Sequence, residues 1–205
     1  EGRRPHWRFK LDGRPVQCTD LIKGPQTVNT ASMSDPVLIR ADGSYLYTLP
    51  SVVDDIDLAI THVIRGEDHV SNTGTQIEII EALGGTAPLF AHHNLLTDAQ
   101  GQGFSKRLGS QSIADFRHEG YEPIAIAIMA TLTGTSLSVE PYDSLDAIAE
   151  KLDFSMISHG AARFDPAELD TLNARLLHAM PYEAALPRLA VMGLTLFGLL
   201  VFFVF

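Results

Sequence analysis

Short alternating or β-branched runs open the chain. Residues 7–11 (WRFKL) and 37–40 (VLIR) are each followed by an Asp-Gly pair, Asp12-Gly13 and Asp42-Gly43, and such pairs are turn signals, so both runs predict strands. Residues 45–48 (YLYT) read as a further strand, and Pro50 suits the first turn of a helix through Val52, Val53, Asp54 and Asp55. Residues 61–65 (THVIR) then predict a buried strand that ends on a charge. Ser71, Asn72 and Thr73 are good N-cap residues ahead of Ile77, Ile80 and Leu83 at helical spacing, and Gly84-Gly85 stops the helix. Residues 90–96 (FAHHNLL) predict the next strand. The strand, helix, strand order over residues 61–96 implies a right-handed parallel crossover, and therefore an α/β sheet. Ligands of such sheets sit at the carboxyl ends of strands, which Arg65 and Leu96 mark here.

The pattern changes after residue 100. A glycine-rich stretch, residues 101–109, leads into helical periodicity at 112–119, 123–132 and 144–152. Asp165 as cap, Pro166 in the first position and Glu168 three residues after the cap start another helix, with Leu169, Leu172, Leu176 and Leu177 as its apolar stripe. Residues 189–205 are uncharged and almost wholly apolar. That length sits at the low edge of the roughly 17–25 residues needed to span a bilayer. A tail anchor, a frame-shifted or chimeric end and an extra buried element all fit it.

Hydrophobic residues at 45% and charged residues at 20% place the chain with globular proteins rather than disordered ones. A single cysteine, Cys18, excludes a disulfide framework or thiolate zinc cluster in this stretch and suits a reducing compartment, so the expected location is cytoplasmic. The formal charge of −10 argues against a general nucleic-acid coat protein. It leaves room for a local footprint, since seven of the 15 basic residues fall between Arg3 and Arg40. The start carries no basic segment followed by an apolar run, as a signal peptide would. It also lacks Met, so the chain reads as a point inside a longer protein.

The sharpest chemical signal is residues 103–109, GFSKRLG, just past a predicted strand. This stretch resembles the KMSKS loop of class I aminoacyl-tRNA synthetases, in the KLSKR form of glutamyl enzymes. Residues 45–72, YLYTLPSVVDDIDLAITHVIRGEDHVSN, resemble the segment between the two signature motifs of bacterial glutamyl-tRNA synthetases, and stand at the family's distance from the loop. Residues 90–96 resemble the family's adenine-side strand, and residues 162–173 (ARFDPAELDTLN) its stem-contact region.

The resemblance implies a glutamate-tRNA ligase that uses ATP, with Mg2+ expected from the family, and whose partners are glutamate, ATP and tRNA(Glu). It implies the second half of a Rossmann-like α/β catalytic domain over residues 1–110, a helical stem-contact region over 111–186, and a tail over 187–205. By the same resemblance Lys106, with Ser105 and Arg107, faces the phosphates of ATP, where a cation stabilises charge on the leaving pyrophosphate. Gly66, Asp68 and His69 match positions beside the nucleotide, Leu96 matches one whose backbone meets adenine, and Tyr47 and Arg65 match those that hold glutamate. An arginine presents a planar fork of donors to a carboxylate, and a phenol adds one more hydrogen bond.

Plainer readings stand beside these. Arg65 also suits a surface ion pair with Asp54 or Asp55, Tyr47 a core position, and Asp68 with His69 a helix-capping turn. Asp54 and Asp55 read as carboxylates matched to a helix start rather than a metal site. His92 and His93 cannot both face one side of a strand, so they read as structural or adenine-side, and no metal site is expected. Three departures from the family pattern stand out: no HIGH motif, no anticodon-binding domain, and Gly103 in place of the loop's first lysine. A monomer is expected, membrane-bound only if residues 189–205 are an anchor. A noncatalytic tRNA-acceptor-binding remnant, with or without a membrane tether, is the alternative.

Overall fold

The structure, a computed structural model, describes residues 4–98, 101–103 and 112–191. Two compact units divide the chain. The first runs to Gly103 and also takes in Gly134–Ser136 and Leu152–Arg163, while the second holds the intervening and following helices.

In the first unit, strand β1 (Trp7–Arg8) pairs antiparallel with β4 (Val37–Ile39). Between them lie β2 (Pro15–Asp20) and β3 (Gly24–Asn29), an antiparallel hairpin. Helix α1 (Thr48–Asp57) follows, then β5 (His62–Gly66), helix α2 (Val70–Ala82) and β6 (Leu89–His93). The sheet order is β3-β2-β6-β5, with β6 parallel to both β2 and β5. The crossover expected over residues 61–96 is present, and the domain is α/β.

Helix α2 is buried on nearly all sides: every residue from Thr73 to Ile80 is inside. Ile77 packs with Val16 and Phe90 against the sheet, while Ile79 and Ile80 pack with Val52 and the half-buried Leu38 and Ile56. Leu83, expected in the apolar stripe, is instead exposed, because the helix has already reached its C-cap there. Glu78, buried in the same helix, accepts hydrogen bonds from the Asp12 backbone at 2.8 Å and the Thr30 hydroxyl at 2.6 Å. A buried carboxylate stays tolerable when it is paired in this way.

Three sequence expectations shift. Residues 45–48 form no strand: Tyr45 makes one bridge to Ile39 and Thr48 already begins α1. Pro50 therefore sits in the first turn, where its missing N–H costs nothing. Asp54 and Asp55 consequently lie in the second half of α1, not at its positive end. The strand over residues 90–96 breaks after His93 and resumes as β7 (Leu96–Thr97), which pairs parallel with β8 (Ala162–Arg163). Asn94 makes the break, turning inward to donate to the Gly134 carbonyl at 3.1 Å and the Ser158 hydroxyl at 3.2 Å.

Gly134 has φ +82°, and a Cβ there would meet the Ala162 Cβ and the Asn94 amide nitrogen, each at 2.4 Å. Gly134→Ala is expected to destabilise the chain by at least about 2 kcal/mol through left-handed strain plus overpacking, measured as a shift in urea midpoint. A change below about 0.5 kcal/mol would show that the site relaxes freely.

The second unit is helical: α3 (Ile113–His118), α4 (Pro123–Leu132), α5 (Leu145–Ala149), α6 (Pro166–His178) and α7 (Tyr182–Val191). Ala125, Ile128, Met129 and Leu132 of α4 meet Leu169 and Leu172 of α6 in its core, with Tyr142 and Ile148. Asp165 caps α6 by accepting from the Ala167 N–H at 2.9 Å. Leu177, expected in the stripe, is mostly outside it. Among the described residues no helix is long and apolar enough to cross a membrane; most of residues 189–205 lie outside the described range.

Candidate functional site

Arg65 is the penultimate residue of β5, at its carboxyl end, beside His92 in register on β6. Its Nε donates to His92 Nε2 at 3.0 Å, and one terminal nitrogen donates to the Thr73 hydroxyl at 2.9 Å and more weakly to the His69 carbonyl at 3.4 Å. The guanidinium also lies 5.4 Å from the centroid of the Phe90 ring. A half-buried arginine held at these points has lost most of its rotamer freedom before any ligand arrives. Burial pulls its pKa below the ordinary value, while the Tyr47 phenol, Asp55 and Asp68 push the other way. The group remains a cation throughout the physiological range.

The surface ion-pair reading fails on geometry. Among the described residues Arg65 makes no ion pair with Asp54 or Asp55, although Asp55 is near enough to feel its charge. Burial is the first cause raising the Asp55 pKa, with Arg65 opposing it.

Tyr47 is 60% exposed and therefore not a core residue. It stands at the N-cap of α1, with its ring 6.1 Å from that of His69 and its hydroxyl interacting with the Arg65 guanidinium. His69 caps α2 by backbone position alone, with no side-chain cap bond. Its ring faces the Asn72 amide at 3.1 Å, and its Nε2 lies 3.7 Å from an Asp68 carboxylate oxygen. Asp68 is exposed in the short 3-10 turn Glu67–His69. Gly66 precedes that turn with φ −66°, and a Cβ there would meet the side-chain ends Asp68 Oδ1 at 2.5 Å and Leu95 Cδ2 at 2.9 Å, both of which would have to move aside. Ser71, Asn72 and Thr73, expected as caps, lie inside the first turn of α2.

Structure thus brings Tyr47, Arg65, Gly66, Asp68 and His69 to one place at the end of β5. Leu96 sits apart, in β7, half-buried and paired with Ala162. Ser105, Lys106 and Arg107 lie outside the described residues. Gly103, where that loop begins, bridges to Thr97 of β7. The described residues hold no group of three or more His, Cys, Asp or Glu that could bind a metal ion.

Two participants have no signal in the linear pattern. Thr73 fixes Arg65 although its neighbours suggest capping. Asp20, at the end of β2, is 2% exposed, and its Oδ2 lies 2.5 Å from His92 Nδ1. Its other oxygen accepts from the backbone N–H groups of Ile22, Lys23 and His92. Burial pushes the Asp20 pKa up, but these hydrogen bonds prevail and hold it below the usual carboxylate range. His92 is held below its ordinary value, chiefly by burial, with the Asp20 bond opposing and Arg65 reinforcing. His93, on the other face, is exposed.

A family model described as the catalytic domain of class I tRNA synthetases for glutamate and glutamine (E and Q) matches residues 1–171. The chain belongs to that family. Glutamate-tRNA ligase 2 of Methylobacterium radiotolerans is 63% identical over 194 residues, which are 95% of this chain and 44% of the relative. Glutamate-tRNA ligase 1 of Brucella ovis is 55% identical over 204 residues, 95% of this chain and 45% of the relative. Among solved structures, a glutamate tRNA ligase from Elizabethkingia meningosepticum in complex with its amino acid superposes with TM-score 0.77 at 31% identity, covering 92% of this chain and 42% of that one. The glutamate-tRNA synthetase of Elizabethkingia anophelis gives TM-score 0.75 at 30% identity, over 92% of this chain and 43% of that one. The chain spans less than half the length of these relatives.

Proposed function

We propose that this chain supplies the glutamate grip and part of the nucleotide site of a glutamate-tRNA ligase. Glutamate's α-carboxylate attacks the α-phosphate of ATP, pyrophosphate leaves, and the glutamyl group then passes from the adenylate to the tRNA 3′ end with release of AMP. The observation that carries this reading is Arg65, fixed at the carboxyl end of β5 with Tyr47 beside it and donors to spare. A planar cationic fork of this kind matches a carboxylate in two hydrogen bonds.

Gly66, Asp68 and His69 line the approach of the nucleotide, and the Leu96 backbone is assigned to adenine. Lys106, with Ser105 and Arg107, is assigned to the phosphates, where a cation favours the pyrophosphate as it gathers charge. The helical unit is assigned to the tRNA stem, and the enzyme to the cytoplasm as a monomer. The family likeness is what supports these assignments.

The test is a chimera in which this segment replaces the 194 residues it matches in the Methylobacterium radiotolerans ligase. Glutamate-dependent ATP-pyrophosphate exchange is expected, and Lys106→Ala should raise its barrier by about 2–4 kcal/mol, as loss of one preorganised charge partner does. A folded chimera without exchange overturns the assignment of function. Exchange unaffected by Lys106→Ala returns that lysine to the solvated surface.

A further inference from the structure

Across the ends of three adjacent strands runs a line of polar side chains: Asp20 on β2, His92 on β6, Arg65 on β5. Asp20 and His92 are almost wholly buried, at 2% and 1% exposure, and neither side chain reaches the open side where Tyr47 stands. A buried acid and a buried imidazole are an expensive way to fill a core unless they serve something beyond packing. The direction of each bond says what they serve.

Arg65 Nε carries a proton and only donates, so His92 Nε2 must accept, and the ring proton must sit on Nδ1. That is the less common tautomer of a free imidazole, and Asp20 enforces it by accepting from Nδ1 at 2.5 Å. Asp20 is itself held by three backbone N–H groups, so it cannot turn away. We propose that Asp20 and His92 are positioning residues: they set the imidazole as a hydrogen-bond acceptor that pins Arg65 through Nε, so that the terminal N–H donors not taken by Thr73 and His69 are left for the glutamate carboxylate. This rests on the assignment of Arg65 to glutamate.

An asparagine at 20 would turn an N–H toward Nδ1, move the ring proton to Nε2, and set it against the Arg65 Nε–H, as amide replacement does wherever a carboxylate fixes a tautomer. Protonation of His92 has the same consequence. The charged or titratable groups facing His92 are Asp20, Arg65 and His69, with Phe90 stacked at 6.2 Å and the Thr73 hydroxyl at 3.3 Å. Arg65 faces the ring as a permanent cation, so acid acts on the glutamate grip through His92.

The experiment uses the chimeric ligase and three variants. Asp20→Asn is expected to raise the glutamate KM about tenfold, the scale of one hydrogen bond, with kcat and the ATP KM within about twofold. His92→Gln, which keeps an acceptor near the Nε2 position, should retain most of the native affinity and flatten the rise in glutamate KM that the unmodified enzyme shows as pH falls below about 6.5. Arg65→Ala is the control for the underlying assignment. In the 205-residue chain, 15N shifts of His92 should give a protonated Nδ1 and a bare Nε2, reversed in Asp20→Asn.

If Arg65→Ala raises the glutamate KM and Asp20→Asn does not, the positioning role is wrong and the glutamate grip stands. If Arg65→Ala leaves the glutamate KM unchanged, the grip itself is wrong. Should Asp20→Asn fail to fold, a His92→Gln enzyme with native affinity and the native pH profile, or an Nε2-protonated His92 in the unmodified chain, overturns the proposal.

Discussion

Replacing Arg65 by alanine in the chimeric ligase is expected to raise the glutamate KM by about two to three orders of magnitude, the scale of the roughly 2–5 kcal/mol lost when one partner of a desolvated charged hydrogen bond is removed. The ATP KM should stay within about twofold, because only glutamate presents the carboxylate that the guanidinium grips. Arg65→Lys should recover less than about tenfold of the loss. The reason lies in the geometry: Nε is committed to His92 and one terminal nitrogen to Thr73, so the fork is already oriented, whereas an ammonium has no second nitrogen to hold its direction. The ratio of the two Michaelis constants decides the matter. Equal rises for glutamate and ATP would mean that Arg65 braces the sheet rather than binding substrate, and a melting curve would then show the same loss.

How much of this was legible in the sequence depends on how local each feature is. The β5-α2-β6 crossover is contiguous and its helix ends on Gly84-Gly85, so pattern alone finds it; β5, expected as a buried strand, instead has no fully buried residue, because among the described residues it is the edge of the sheet. The β2-β3 hairpin escaped because its residues, PVQCTD and GPQTVN, carry little apolar signal: Val16 is buried, Cys18 and Val28 are half-buried, and Asp20 takes the place where an apolar residue is expected. Tyr45, Leu46 and Tyr47 have strand propensity, yet α1 begins at Thr48 because Pro50 is harmless in a first turn. Tertiary position overrode propensity there.

The site divides in the same way. Arg65 and the Gly66, Asp68, His69 turn follow directly from a strand end, and Tyr47 reaches them from an adjacent element. Thr73 was hidden by its own suitability as a cap, and Asp20 by a separation of 72 residues from His92. A period-2 reading of Val16, Cys18 and Asp20 puts the acid on the buried face, but nothing in the linear sequence says that a histidine waits opposite.

Asp20 also carries the largest expected effect on stability. Asp20→Ala would leave the Ile22, Lys23 and His92 N–H groups and the His92 ring N–H without their acceptor. At about 1–3 kcal/mol for each donor stranded in the interior, and with water replacing some of the loss near half-buried Lys23, a destabilisation of about 3 kcal/mol or more is expected. Asp20→Asn should cost less, since its oxygen still accepts from the backbone. The pH dependence follows from the two pKa directions, and both have the same sign. His92 is held below its ordinary 6.5, so the unfolded chain takes up its proton first; its contribution is complete above about pH 6.5 and is lost as pH falls through the folded value. Asp20 is held below its ordinary 3.8, so its contribution is present above about pH 3.8 and is lost as pH falls through its own folded value. Urea midpoints measured from pH 8 downward should therefore fall in two stages, one below about 6.5 and one below about 3.8, with the lower stage reduced in Asp20→Asn. A midpoint that rises on acidification between those values in Asp55→Asn, where the raised Asp55 pKa no longer contributes, would mean that His92 is charged in the folded chain and donates to Asp20 from a protonated ring, and the Nε2 acceptor for Arg65 would be gone.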